Sequence, residues 1–269
     1  SGTFADIVRR AMSAAPALFF CAVFSSALLH MDAPAGAAEA PAQSARVART
    51  LRIARGTPIS IRATVGDITV TGWDRPDVEI DIVRSAPSSD AASTISATID
   101  ADDTGLHITA VQPDQQKDAR LRGSITVHAP VDQPIGSLEL FEGTVALLHL
   151  HGGVRATVDH GSIKAIALGG AVRLETGIGD VQLENAQLAD QGMIRLRAFN
   201  GNVTLSFAAT PAHARILALS LDGAIRSDIP LNLKTAFGPR FGEATIGGGG
   251  PVVSIDVVSG NIRINRGAI

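Results

Sequence analysis

The chain has 269 residues and a formal net charge of −3; 45% of its residues are hydrophobic, 18% charged and 4% aromatic, with 27 Gly, no Tyr and a single cysteine, Cys21. The apolar fraction excludes a disordered chain, the lone cysteine excludes a disulfide scaffold, and one long apolar run excludes a multi-span membrane protein. A mildly acidic balance gives no electrostatic reason to bind nucleic acid, so no nucleic-acid partner is expected.

Residues 1–38 read as a signal peptide. Arg9 and Arg10 supply the positive start, Ala11 to Leu29 is an uncharged apolar run with Phe19, Phe20, Phe24, Leu28 and Leu29, and Ala33-Pro34-Ala35-Gly36-Ala37-Ala38 is a small-residue stretch. That order of charge, apolar block and small residues is what secretion requires, with cleavage expected after Ala38. The competing reading is an uncleaved N-terminal membrane anchor, since residues 11–29 are just long enough to span a bilayer as a helix; Pro16 weakens it. Contact with a membrane is expected only if this segment is retained. Removing 1–38 takes Cys21 and leaves the net charge unchanged, which suits an oxidising compartment. The expected location is therefore exported: the periplasm, the cell envelope or the extracellular side.

Residues 39–49 (EAPAQSARVAR) are small, polar and Pro-containing, and read as a flexible linker. From residue 50 to 269 the character is constant, and one domain large enough to bury a continuous core is expected. Its dominant signal is alternation of apolar and polar residues, as in Ile59/Ile61, Ile68/Val70, Val78/Ile80/Ile82, Val172/Leu174, Val203/Leu205 and Ile262/Ile264. Period 2 argues for half-buried strands, and no helical stripe is sustained after residue 50.

Superimposed on the alternation is a recurring unit: Gly, any residue, Ile or Val, any residue, then usually Leu or Val. It appears as GDITV at 66, GSITV at 123, GTVAL at 143, GDVQL at 179, GNVTL at 201 and GNIRI at 260. The glycines 105, 123, 143, 161, 179, 201, 223, 242 and 260 recur at steps of 18 to 22. A second series, Gly153, Gly170 and Gly192, lies half a step away and lengthens over the same segment, Glu184–Gln191, so one insertion of four residues at a corner accounts for both. This predicts an all-β, single-domain parallel β-solenoid (β-helix) with coils of roughly 18–22 residues. The alternative is an antiparallel β-sandwich, whose short strands and Gly turns follow a similar spacing. In a solenoid the strands before residue 100 would cap one end, while the last unit, at 260, would leave the other end open. Such ends invite strand pairing, and end-to-end self-association is an expectation.

GDITVTGWDRPDVEI at 66–80, followed by the Gly-x-Val-x-Leu units, resembles the bacterial putative-adhesin domain family. So do the turns Phe199-Asn200-Gly201-Asn202-Val203, Leu221-Asp222-Gly223-Ala224-Ile225 and Ser259-Gly260-Asn261-Ile262. The resemblance covers roughly residues 50–269. It implies an exported, β-helical, non-catalytic envelope protein, and the family has no catalytic motif to carry over.

Several constellations could carry chemistry. His149 and His151 alternate along one strand with Leu148 and Leu150, and His160 follows; three His could hold zinc. The competing reading turns the leucines inward and the imidazoles to water. Asp77, Glu79 and Asp81 form one carboxylate row and Asp100, Asp102 and Asp103 another. Paired carboxylates are the equipment of glycoside hydrolysis, but the chain lacks the aromatic platforms that sugar clefts use. Phe237–Pro251 is a Gly-rich loop without the strand-then-helix setting of a phosphate cradle. Trp73 reads as packing rather than a ligand platform. No residue is assigned a catalytic, cofactor-binding or metal-binding role, and no cofactor is expected. The leading functional expectation is a non-catalytic structural or interaction protein whose partner is another envelope protein or a surface component. An envelope-stress sensing module that binds peptides or lipids is the second, and a polysaccharide-active β-helix enzyme the third.

Overall fold

The structure, a computed structural model, describes residues 43–113, 118–234 and 238–267; the expected signal peptide or anchor lies outside these residues. The strands in the first half are β1 (Gln43–Arg52), β2 (Ile59–Trp73), β3 (Asp77–Ala86), β4 (Ser96–Asp102), β5 (Gly105–Val111), β6 (Arg122–Pro130), β7 (Ile135–Leu148) and β8 (Val154–Ile166). Next come β9 (Ala171–Ile178), β10 (Val181–Ala186), β11 (Met193–Asn200), β12 (Val203–Phe207) and β13 (Ala214–Asp222). The last are β14 (Ile225–Ser227), β15 (Asn232–Lys234), β16 (Arg240–Ile246), β17 (Val252–Ser259) and β18 (Ile262–Asn265). One five-residue helix, α1 (Ser89–Ser93), is capped by the Ser88 hydroxyl, which accepts from Ala91 N. Residues 43–49 of the expected linker are the first part of β1, paired with β3.

The all-β expectation is met, and the alternation shows why. In β2, Ile59, Ile61 and Ala63 are buried while Arg62 faces out; Ile68 and Val70 repeat the pattern past the bend. The strands stack as two ladders that share one aliphatic core. Parallel rungs follow in the spatial order β5/β6, β2, β7, β8, β9/β10, β11/β12, β17/β18 and β13/β14. The repeat seen in the sequence is the register. Val145 faces Ile163 and Ile163 faces Val181, 18 residues apart each time, whereas Val181 faces Val203 and Val172 faces Ile194, 22 apart. The four extra residues fall in the corner between β10 and β11, as the two glycine series require.

The sheet is nevertheless mixed, and this corrects the expectation of a uniformly parallel stack. At one end β4 pairs antiparallel with β5, β3 with β6 and β1 with β3; at the other, β16 pairs antiparallel with β13 and β15 with β16. Among the described residues antiparallel pairing occurs only at these two ends, so the sandwich alternative does not describe the interior. A second correction concerns order. The last chain segment is not an open end: β17/β18 lies between β11/β12 and β13/β14, and β2 is likewise held between β5/β6 and β7. Gly242 falls out of the repeat because it lies in antiparallel β16, and Gly105 because it closes the β4–β5 turn against Pro58.

The Gly-x-Ile/Val unit marks the bend between the ladders. Gly66, Gly143, Gly161, Gly179, Gly201, Gly260 and Gly223 have φ between +136° and +158°, and a Cβ on each would fall on the carbonyl oxygen of the glycine in a neighbouring rung. Only glycine allows that backbone and that approach. The second residue of the unit bridges rungs. Ser162 Oγ accepts from Asp180 N (3.3 Å), Asp180 Oδ1 from Asn202 N (2.7 Å), Asn202 Oδ1 from Asn261 N (3.0 Å) and Asn261 Oδ1 from Ala224 N (2.9 Å). Asp, Asn and Ser recur there because a short oxygen-bearing side chain reaches the next backbone N–H.

The opposite corner is held by residues in the left-handed region at the same place in three rungs: His149 (φ 54°), Ala167 (φ 55°) and Asn185 (φ 51°). After each, the chain turns back inward and buries Leu150, Leu168 or Ala186. Asn and His tolerate this conformation better than Ala does. Ala167→Gly is therefore expected to stabilise the fold by about 1 kcal/mol, read as a rise in Tm of roughly 2–4 °C by calorimetry; an unchanged or lower Tm would mean that the corner does not impose this backbone.

Candidate functional site

None of the constellations singled out in the sequence converges. Among the described residues no group of three or more His, Cys, Asp and Glu is placed to hold a metal ion. His149 and His151 are exposed at the left-handed corner, and His160 lies in β8 against the Phe141 ring, with centroids 5.1 Å apart. Leu148 is only half-buried, because Val145 and Leu147 take the inward positions of β7, and the positive φ at His149 then breaks the alternation and turns Leu150 inward.

Two members of the carboxylate row of β3 are neutralised: Asp77 pairs with Arg75 and Asp81 with Arg46, both at 2.7 Å. Since β3 is paired on both sides, the row does not guard an edge. Asp102 closes the β4–β5 turn, accepting from Thr104 N, Thr104 Oγ1 and Gly105 N. The Thr104 hydroxyl and amide, followed by His107, hold its carboxyl at a pKa of about 2. Asp100 and Asp103 are exposed beside it and make no converging site.

Of the expected Gly-rich loop 237–251, Arg240–Ile246 is strand β16, and Gly247–Pro251 is the turn into β17. Trp73 is half-buried at a corner. Its indole N–H donates to Asp77 O (2.8 Å), the ring stacks on His128 with centroids 5.2 Å apart, and the Arg75 guanidinium lies over the ring at 4.1 Å. These contacts pack the ring into its corner.

A groove that the sequence did not reveal lies on the outer face of the ladder containing β8, β9, β11, β17 and β13. Neighbouring rungs bring Thr157, Glu175, Arg197, Asp256 and Leu219 into one row. Two residues further along each strand stand Asp159, Gly177, Phe199, Val258 and Leu221. Gly177 has no side chain between Asp159 and Phe199, which opens a cavity of 700 Å³. Its apolar floor is Phe199, Leu219, Leu221 and Val258; Phe199 is 63% exposed and Leu221 47%, and Ile178, next to the notch, is 52% exposed.

The rim carries charge in both signs. Arg197 lies 3.3 Å from Glu175 and Arg195 4.0 Å from Asp256, while Asp159 stands without an arginine partner among the described residues. These half-exposed pairs contribute less than about 1 kcal/mol each, so they shape the rim more than they stabilise the fold. Contiguous exposed apolar surface of this kind is uncommon on a chain that otherwise alternates polar-out. The signal in the sequence was Ile216–Leu221: both faces of β13 are apolar there, because Leu217, Leu219 and Leu221 occupy its outward positions.

A family model described as Toastrack DUF4097 matches residues 50–265. The chain belongs to the Toastrack DUF4097 family. No curated protein matches this Toastrack chain. Among solved structures it is similar to a putative cell adhesion protein of Clostridium sporogenes, at 12% identity and a TM-score of 0.49 over 83% of this chain and 100% of the other. It is also similar to a putative adhesin of Bacteroides fragilis, at 13% identity and 0.39 over 82% and 97% of the two chains. A putative lipid binding protein of Parabacteroides distasonis is 10% identical, with a TM-score of 0.27 over 81% and 96%.

Proposed function

We propose that this Toastrack chain is a non-catalytic, exported interaction protein of the cell envelope, an adhesin-like component that engages an envelope protein or a surface component through the outer groove. The observation that carries this reading is the exposed cluster of Phe199, Leu219, Leu221 and Val258 around the Gly177 notch. A cavity of that size with an apolar floor and a charged rim has the character of a binding site, and the carboxylates around it are spread along a face rather than paired across a reacting bond. A parallel solenoid core closed by antiparallel strands would hold this face rigid.

The rim also supports a second reading, that of an envelope-stress sensing module. Asp159, Glu175 and Asp256 beside an apolar floor suit a cationic amphipathic peptide.

Phe199→Asp with Leu221→Asp tests both readings, because two exposed outward positions can take a carboxylate without disturbing the core. The double variant is expected to keep the wild-type circular dichroism and melting curve. It should lose about tenfold or more in sedimentation with envelope membranes or in titration with a cationic amphipathic peptide. Retention in the membrane assay alone would overturn the first reading, and retention in the peptide assay alone the second.

A further inference from the structure

Apart from the groove, the same outer face carries a column of three arginines in which only Arg195 has a carboxylate partner, Asp256. Arg155 of β8 faces Arg173 of β9, and Arg173 faces Arg195 of β11. Like charges directly opposite on neighbouring strands repel, and three in succession compound the cost. Of the nearby carboxylates, Glu175 is engaged outside the column with Arg197 at 3.3 Å, and Asp256 serves only its last member, Arg195, at 4.0 Å. Neither Arg155 nor Arg173 has an ion-pair partner among the described residues. The Nε–H of Arg173 is also buried without a hydrogen-bond acceptor. A buried donor left unmade is unfavourable, and buried donors are normally satisfied.

Beside these two side chains is a cleft of 210 Å³ whose walls include Gly136, Gly152, Gly153 and Ala171. Small residues there leave space in front of the guanidinium groups rather than filling it. Repelling charges, an orphaned donor and an adjoining space share one remedy, an anion seated between Arg155 and Arg173.

We infer that Arg155 and Arg173, with Arg195 adding charge from the next rung, form a binding site for a phosphate group. Two guanidinium groups from neighbouring rungs present more donors than the two oxygens of a carboxylate can accept. A phosphate or phosphomonoester offers three terminal oxygens and up to two charges, and it matches the guanidinium fork. The same chemistry could come from free phosphate or from a lipid headgroup. The inference does not rest on the groove, whose apolar side chains are further along the strands.

The test uses the full chain in a low-salt buffer without phosphate. Inorganic phosphate is titrated by calorimetry, and co-sedimentation is measured with phosphatidylcholine vesicles, with and without phosphatidic acid. Wild-type protein is expected to bind in at least one arm, more weakly as salt is added. Arg155→Gln with Arg173→Gln should weaken that binding about tenfold or more, while Arg226→Gln, an exposed arginine on β14, should leave it unchanged. Removing the central repulsion should also raise the Tm of Arg173→Gln in anion-free buffer, a readout that a purely structural role for Arg173 would move the other way. Binding of phosphate but not vesicles would identify a soluble ligand, and the reverse a headgroup; either supports the site. Failure of both arms, or equal loss in Arg226→Gln, would overturn it.

Discussion

Deleting residues 251–269 is expected to unfold the domain rather than shorten it by one rung. In a stack built in chain order, the last unit is an end rung and its loss is tolerated. Here β17/β18 is sandwiched, with Val253 between Ile194 and Ile216, and Ile262 between Val203 and Ile225. Truncation removes the buried side chains of Val253, Ile255, Val257, Ile262 and Ile264. At about 1.5–3 kcal/mol for each, their burial contributes on the order of 10 kcal/mol, comparable with the whole net stability of a domain. It also strips the hydrogen-bonding partners from β11 on one side and β13 on the other, leaving two bare edges. Circular dichroism should show loss of the cooperative melt, and light scattering should show aggregation. A truncated chain that melts within a few degrees of the intact one would refute the interior placement of this rung.

Gly161→Ala is expected to be more destabilising than a substitution at an uncrowded turn glycine. Gly161 has φ +144°, and a Cβ would overlap Gly143 O of the next rung. Backbone strain of about 1–3 kcal/mol adds to overpacking of about 1–3 kcal/mol. At roughly 2–4 °C per kcal/mol for a domain of this size, the Tm should fall by about 10 °C. Gly56→Ala is the control: it has φ +81° with no atom within 4 Å of an added Cβ, so only backbone strain is paid. Equal losses in the two variants would show that close approach between rungs contributes nothing at Gly161.

The bend glycines and the alternation were legible in the sequence because each reports a local requirement. Gly161 and Gly179 must be glycine whatever rung lies beside them, and Val181 and Leu183 must face inward whichever strand they pair with. Pairing partners are a different matter. Ile216 and Val253 carry the same inward signal as Ile194, and nothing in the alternation says that Val253 belongs between the other two. Direction is equally silent, since β16 alternates just as a parallel strand would, which is how Gly242 entered the repeat by spacing alone. The groove was hidden for a related reason. Phe199, Leu219 and Val258 come from three strands and become neighbours only through the register, while Gly177 matters for what it lacks. The clusters legible in the sequence, such as Asp77, Glu79 and Asp81, were close along the chain, and two of these three carboxylates are tied to arginines, Asp77 to Arg75 and Asp81 to Arg46.

The interior placement of β2 and of β17/β18 also dictates when the stack can finish folding. During synthesis β13 and β14 are made before β17 and β18, so they cannot reach their final seat against the growing core until β17 and β18 have left the ribosome and slipped in between. β2 likewise emerges early and must wait for β7 to give it its inner neighbour. Such long-separation contacts make for slow assembly with unpaired edges meanwhile exposed. β17 and β18 thus act as a keystone, and a chain that lacked them would be held in an incomplete, association-prone form.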